Sequence, residues 1–460
     1  MLPNKPAQAR VHLVFRLPPK HVSRSRCTYV LDWMCSHPYA GGVLSWAGGC
    51  DTVPAAFDLA ELTARSVVLQ TTDAVDPPAA VRIGQHYTTV PVIGDAAGDA
   101  QLFEHGRWTA DWMSSLFYWL SRYEEQRLQA NDPPEAATQW LVRNGAERTP
   151  AADRLLVEVL LSLSELLDAT SAPILRQQVL AKADEPSSVH LSHDLDHVRL
   201  FQRPDLAVRH AASVAKKGQL VGAGRVMSDY ARVSLGQLAD PYDNANSTLC
   251  GDGGTLFLLL GRHVAQDGGR DKTDERLKTW INLARKRGYK LGLHPSYTTP
   301  EHSERITAEV DRFELLTGER PVVSRQHFLR WNWATSPKLL EGIGVKGDST
   351  LGYRDRLGFR CGTSFPYRLY DFASEASAAL YEWPLAGMDG AWMRSNDYDP
   401  LKCASDWSAF VTENSKGAAI MLNVHNSQLY YAELLGIDLA AWYRFAHQQA
   451  TASWTDYASL

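Results

Sequence analysis

The sequence predicts an α/β protein in two parts. A smaller α+β or α/β domain over residues 1–182 precedes a (β/α) barrel or doubly wound sheet over residues 188–460. Three observations predict it. The chain of 460 residues is too long for one ordinary core. From Val189 onward, short apolar runs alternate with amphipathic helical patterns, as parallel strands joined by crossover helices do. Polar residues gather where those runs stop, at the strand ends where such folds build their sites.

Composition sets outer bounds. Hydrophobic content of 45% and charged content of 22% are those of a globular protein. A formal net charge of -5 without a long basic run makes no case for nucleic acid or an anionic membrane surface as partner. Cys27, Cys35, Cys50, Cys250, Cys361 and Cys403 are scattered with no C-x-x-C pair and read as reduced thiols. The first residues lack the apolar core of a signal peptide, and the run Leu256 to Leu260 is too short to span a bilayer. The expectation is a cytoplasmic protein.

In chain order, residues 11–15 and 87–93 are strand-like pieces among Gly/Pro/Asp-rich turns. Thr109 is placed to cap a helix carrying Trp112, Leu116, Trp119, Leu120 and Tyr123 on one face, and a second helix is expected over 151–167. Nothing in this part has catalytic spacing. The polar stretch Lys182 to Ser188 marks the boundary. Beyond it come a strand from Val189 that ends in Asp194 and Asp196, a strand over 254–260, a helix over 274–287 stopped by Gly288, and a strand over 289–294 halted by Pro295. A helix over 301–317 ends at Gly318. Strands over 321–328 and 344–348 flank a short helix over 337–342. A long Gly- and Tyr-rich loop, a helix over 406–414 and a strand over 418–425 complete the pattern.

The strand ends carry the chemistry. Asp194 and Asp196 alternate in an extended chain and so project to one side, two like charges that call for a cation between them. A solvated strand end would look the same locally. Against it stand the other strand ends: His294, then Arg325 and His327 at matching parity, then Asp348, then His425 with Asn426. Carboxylates with imidazoles suit Zn2+ or another borderline divalent metal (Co2+, Mn2+ or Ni2+) that activates a water. Beside it a carboxylate serves as base and an imidazole protonates the leaving group, machinery for hydrolysing an amide or ester. His294 and His327 are candidate ligands, Arg325 a partner for a carboxylate or substrate group, and His425 a general acid or ligand. His193, His197 and Asp348 are expected to brace the acids. Tyr297, Trp331, Trp333, Tyr353 and Trp392 are candidates to stack on a substrate ring.

These residues resemble a known family. Ser192-His193-Asp194-Leu195-Asp196, Gly292-Leu293-His294-Pro295-Ser296-Tyr297, Ser324-Arg325-Gln326-His327-Phe328 and Leu422-Asn423-Val424-His425 resemble, in order, the motifs of the polysaccharide deacetylases (NodB-homology family). The resemblance implies a distorted (β/α) barrel of the NodB-homology type. It also implies metal-dependent removal of N- or O-acetyl groups from a sugar or glycan. By the same resemblance Asp194 is the base, Asp196 and His294 bind the metal, Arg325 positions the base and His425 is the general acid. One departure matters: the family's second motif has a further histidine four residues on, where this chain has Thr298. His327 is the expected replacement as third ligand. Residues 102–125 resemble a domain of unassigned role that precedes such barrels in bacterial proteins.

Two other readings compete. Asp194-Leu195-Asp196-His197-Val198 also fits the D-x-D-x-V pattern of haloacid-dehalogenase-like phosphatases, with Asp194 as nucleophile, but that leaves His294, His327 and His425 without work. A catalytically degenerate barrel that binds a glycan or a protein partner is the second. The substrate expected is a small-molecule or glycan intermediate, nucleotide-linked or lipid-linked.

Overall fold

A computed structural model describes residues 11–16, 21–49, 57–58, 79–82, 84–87, 89–93, 101–104, 107–127, 139–201, 204–242, 253–267 and 273–439. Cys50 and Cys250 lie outside them; Cys27, Cys35, Cys361 and Cys403 are free thiols.

The N-terminal part opens on β1 (Val11–Arg16), which pairs in parallel with β2 (Leu44–Gly49) and β3 (Phe57–Asp58), with α1 (His21–Ser36) as the crossover. Two antiparallel pairs follow, β4 (Ala79–Arg82) with β5 (Val90–Ile93) and β6 (Phe103–Glu104) with β7 (Arg107–Trp108). Then come α2 (Trp112–Leu120), α3 (Tyr123–Arg127), α4 (Trp140–Arg143), α5 (Ala151–Glu165) and α6 (Ser171–Ala183). Every residue of α2 is buried, as an all-round apolar helix requires. Its cap is Asp111, whose carboxylate accepts from the Ser114 amide, and not Thr109, whose hydroxyl donates to the Gln101 and Leu102 carbonyls instead.

The second part begins with β8 (Ser188–Leu195), a helical hairpin of α7 (Pro204–Lys216) and α8 (Leu220–Ser234), and β9 (Gly254–Leu258). Next are α9 (Asp274–Lys286), β10 (Tyr289–Leu293), α10 (Glu304–Thr317), β11 (Val323–Ser324), α11 (Ser336–Gly342) and β12 (Gly347–Asp348). The chain closes with β13 (Tyr367–Asp371), β14 (Ala376–Glu382), β15 (Leu385–Met388), α12 (Asp389–Ser395), α13 (Pro400–Glu413), β16 (Ala419–His425) and α14 (Asn426–Leu434). Among the described residues nine of these strands form one sheet in the order β13-β14-β12-β11-β10-β9-β8-β16-β15, parallel throughout except for the hairpin β13–β14.

That order forces the sheet to curl. β14 and β15 lie seven places apart in it, ~34 Å if the sheet were flat at ~4.8 Å per strand. Only Trp383 and Pro384 join them, a connection that reaches ~11 Å at most. The two ends of the sheet are therefore drawn together, and the gap between β14 and β15 is bridged by the chain and not by a ladder. The Trp383 ring meets His190 of β8 across the interior at a centroid separation of 4.7 Å. The α/β class expected from the sequence is thus met by one mostly parallel, strongly curled sheet.

Two regions depart from the sequence reading. The stretch after Asp348, expected as a loop until the helix near Asp406, contains β13, β14, β15 and α12. β14 is Ala/Ser-rich and mostly exposed until Leu380, so it offers almost no apolar alternation to read. The strand expected over 321–328 pairs only at Val323–Ser324, because the chain leaves the sheet and Phe328 and Leu329 take φ of 59° and 51°.

The two parts share a core. Residues from α1, α2 and α5 pack in one apolar cluster with Cys361, Phe365, Tyr367 and Leu369 from the second part. Polar ties cross the same seam. Glu125 of α3 accepts from Arg360 at 2.9 and 2.8 Å, from Arg122 at 2.6 Å and from the Trp333 indole at 3.2 Å, with Arg122, Glu125 and Arg360 all buried. Asp153 of α5 accepts from the Ser364 amide and hydroxyl.

Candidate active site

The site lies at the carboxyl ends of β8, β10, β11 and β16. Asp194 and Asp196 leave β8 on the inward side, and His425 ends β16 directly opposite Asp194 in the parallel register. His294 follows β10, whose Gly292 permits close packing: a Cβ there would sit 2.5 Å from the Phe257 ring. That ring supports the Arg325 guanidinium, 4.5 Å from its centroid.

Two roles separate within the carboxylate pair. Asp194 is fully engaged: Oδ1 accepts from Arg325 Nη1 at 3.0 Å and Oδ2 from Asn423 Nδ2 at 2.7 Å. Burial alone would raise its pKa, but the Arg325 guanidinium and then His294 hold it below the usual carboxylate value. Arg325 is itself fixed, donating from Nε to the Ser349 carbonyl at 2.9 Å and from Nη2 to the Ser349 hydroxyl at 3.0 Å. Asp196, by contrast, has an open oxygen. Its buried Oδ1 and the buried Nε2 of His294 lie 3.4 Å apart and neither makes a hydrogen bond. His327 Nε2 is 3.7 Å from the same Oδ1. One donor atom from each of Asp196, His294 and His327 falls within 4.8 Å of the others.

Those orphaned atoms test the fit to a metal. Donors bound at ~2.0–2.2 Å in tetrahedral geometry sit ~3.3–3.6 Å apart, close to the 3.4 and 3.7 Å found here. Oxygen with two imidazole nitrogens is a donor set for a borderline divalent ion. Thr298, at the position of the missing motif histidine, accepts instead from the Arg305 guanidinium and is not part of the cluster.

The imidazoles share one arrangement. Each turns Nε2 toward the carboxylates and has Nδ1 against an acceptor: His294 against the Arg325 carbonyl, His327 against Asp267 at 3.3 Å, His425 against Asp389 at 2.7 Å. His425 Nε2 lies 3.7 Å from Asp194 Oδ2 and 3.9 Å from Asp196 Oδ2. Burial would depress its pKa, but Asp389 first, then Asp196 and Asp194, raise it to about 10. These three carboxylates favour the protonated imidazole.

The remaining candidates are placed as follows. His193 faces the other side of β8, its ring against the Val424 carbonyl and the Tyr289 hydroxyl, and burial lowers its pKa to about 4; it braces β16 and β10, not the acids. The His197 carbonyl accepts from Asn426 Nδ2, tying the loop after β8 to α14. Asp348 is buried with Ser324 and Thr350. Trp331 is a correction: at 1% exposure, packed on Trp333, it offers no face to a substrate, and Tyr353 and Trp392 are buried too. The aromatic surface beside the site is Phe328, 51% exposed, with its ring 4.6 Å from His327 and 5.4 Å from Tyr297.

Sequence reasoning missed Asn423, Asp389, Ser349 and Asp267. Asn423 shares parity with His425 on β16, a usable signal. Asp389 follows a strand that left no pattern, and Asp267 sits in a short 3-10 turn far from any motif.

No protein-family model matches the chain, and none of the curated proteins matches it. Solved structures do. A protein described as a polysaccharide deacetylase from Mycobacterium smegmatis is similar at 20% identity and a TM-score of 0.30, over 59% of this chain and 96% of that one. A polysaccharide deacetylase from Bacillus cereus is similar at 10% identity and a TM-score of 0.28, over 57% and 86%. A family 4 carbohydrate esterase from Streptomyces lividans, solved with acetate, is similar at 11% identity and a TM-score of 0.27, over 59% and 95%. These three are a distant likeness that carries no argument about this chain's activity.

Proposed function

We propose that this protein is a metal-dependent hydrolase that removes an N- or O-linked acetyl group from a sugar or glycan intermediate. The observation that carries the proposal is the pairing of an open donor set, Asp196, His294 and His327, with a closed proton-handling set, Asp194–Arg325 and His425–Asp389. A divalent cation held by the first set, most simply Zn2+, supplies Lewis acidity toward the acetyl carbonyl and the attacking water.

This chain's own residues do the rest. Asp194, kept ionised by Arg325 and with Asn423 fixing its second oxygen, takes the proton of the attacking water. His425, turned inward by Asp389, whose carboxylate favours the protonated ring, delivers a proton to the departing amine or alkoxide. The same acid and base in one shell serve both an amide and an ester. The sugar reading rests on the motifs around Asp194, His294, Arg325 and His425; Phe328 and Tyr297 provide the aromatic wall a ring would stack on. We place the protein in the cytoplasm, where Cys27, Cys361 and Cys403 stay reduced, and assign residues 1–182 as an accessory segment that buttresses the barrel. Among the described residues no helix is long and apolar enough to cross a membrane.

Metal content of the purified protein is the test, with His294→Ala and His327→Ala alongside. About one ion per chain in the parent, lost in both variants, is expected. A parent that takes up no Zn2+, Co2+ or Mn2+ overturns the proposal in favour of a degenerate binding barrel.

A further inference from the structure

Of the three donors that could hold a cation, His327 is the one whose position no strand fixes. His327 lies where the chain has just left the sheet, and the two residues after it, Phe328 and Leu329, have φ of 59° and 51°. No strand pairing orients its ring. Asp267 does. This carboxylate, 0% exposed, comes from the loop after β9 and joins three loops at once. Its Oδ1 accepts from the Tyr297 amide at 2.7 Å, in the loop after β10, and faces His327 Nδ1 at 3.3 Å, in the loop after β11. Its Oδ2 accepts from the His263 and Val264 amides at 3.2 Å each, which fixes the carboxylate before it meets the imidazole.

We propose that Asp267 is the positioning residue that makes His327 a metal ligand, by holding Nδ1–H so that the Nε2 lone pair faces Asp196 and His294. The proposal rests on the reading that Asp196, His294 and His327 hold a divalent cation. A carboxylate behind a ligating imidazole fixes the tautomer and the ring plane and makes the ligating nitrogen more basic. His294 needs no such group, because its Nδ1 faces a main-chain carbonyl, that of Arg325. In this chain the departure at Thr298 is therefore answered by two residues, His327 and Asp267, drawn from different loops.

The test uses Co2+ and the full chain. Equilibrium dialysis against Co2+, with the visible absorption of the bound ion, is run on the parent, Asp267→Asn, Asp267→Ala and His327→Ala, with thermal unfolding of each metal-free protein alongside. Loss of the relay weakens Co2+ binding by about 10–100-fold in both Asp267 variants and shifts the absorption band. A purely structural role would lower the unfolding temperature and leave the Co2+ affinity of the folded protein unchanged, which overturns the proposal. A second measurement needs no variant: nitrogen-15 spectra of the labelled imidazoles in the metal-free parent show His327 as the Nδ1–H tautomer, and Zn2+ shifts its Nε2. An Nε2–H tautomer, or ligation through Nδ1, overturns the proposal even if both Asp267 variants fail to fold. Failure of the underlying reading looks different: the parent itself then binds no Co2+.

Discussion

Two buried charge clusters lie in this molecule, and they are built on opposite plans. In the seam, Glu125 meets Arg122, Arg360 and the Trp333 indole, Arg122 also reaches Gln139 and the Arg360 carbonyl, and Arg360 reaches the Gly352 carbonyl. Every charge there is matched by a fixed partner. At the strand ends, Asp196 Oδ1 and His294 Nε2 are just as buried yet make no hydrogen bond. A buried polar atom without a partner costs about 1–3 kcal/mol, a cost that the proposed cation would offset in the open cluster and that the closed one does not carry. The contrast separates a structural ion cluster from a site more sharply than burial or charge would, since the two share both.

The largest effect that would break this contrast is on chemistry. Asp194→Asn keeps the shape and the Asn423 contact but removes the base, and turnover of an acetylated sugar should fall by about 10²–10⁴-fold with the bound metal unchanged. Metal analysis and a single-substrate assay on the same preparation check it; lost metal or full turnover would contradict the assignment. In the seam, Glu125→Ala strands two buried guanidiniums, and denaturant unfolding should show a loss of about 3–5 kcal/mol with metal stoichiometry intact in the folded fraction. The wild-type seam also predicts acid sensitivity. Burial pushes the Glu125 carboxyl up, but Arg122 and Arg360 outweigh it and hold it at about 2, against 4.5 for an ordinary glutamate. Its stabilising contribution is complete above the unfolded value and is lost as pH falls from about 4.5 toward about 2. Unfolding temperature measured across that window should drop in the parent, with a shallower slope in Glu125→Gln. The smallest effect lies outside both clusters: Gly318, at φ 79° with open space around its missing Cβ, should cost about 1 kcal/mol when changed to Ala, with no change in metal or turnover.

Most of the barrel was legible because its helices and inner strands carry strong local signals. α9 has Thr273 as its cap, acids in its first turn and Arg285 and Lys286 in its last, and α10 stops at a left-handed Gly318. β14 was illegible since Ala376 to Ala379 are small and largely exposed, and β11 was overread because an apolar run does not reveal where pairing stops. The aromatic candidates show a similar limit. Trp331 and Phe328 are both aromatic neighbours of the third motif, and only packing made one core and the other surface.

What the sequence determined by itself is the set of reactive groups near the strand ends: the alternation of Asp194 and Asp196 follows from the two-residue period of an extended chain, and Arg325, His327 and the terminal His425 stand where apolar runs stop. What only the tertiary structure decided is how each group is oriented. Asp389 behind His425, Asp267 behind His327 and Ser349 behind Arg325 come from other segments, 36, 60 and 24 residues away. Periodicity reports which face a side chain takes, whereas its tautomer, charge and open valence depend on neighbours that the folded barrel alone brings into contact.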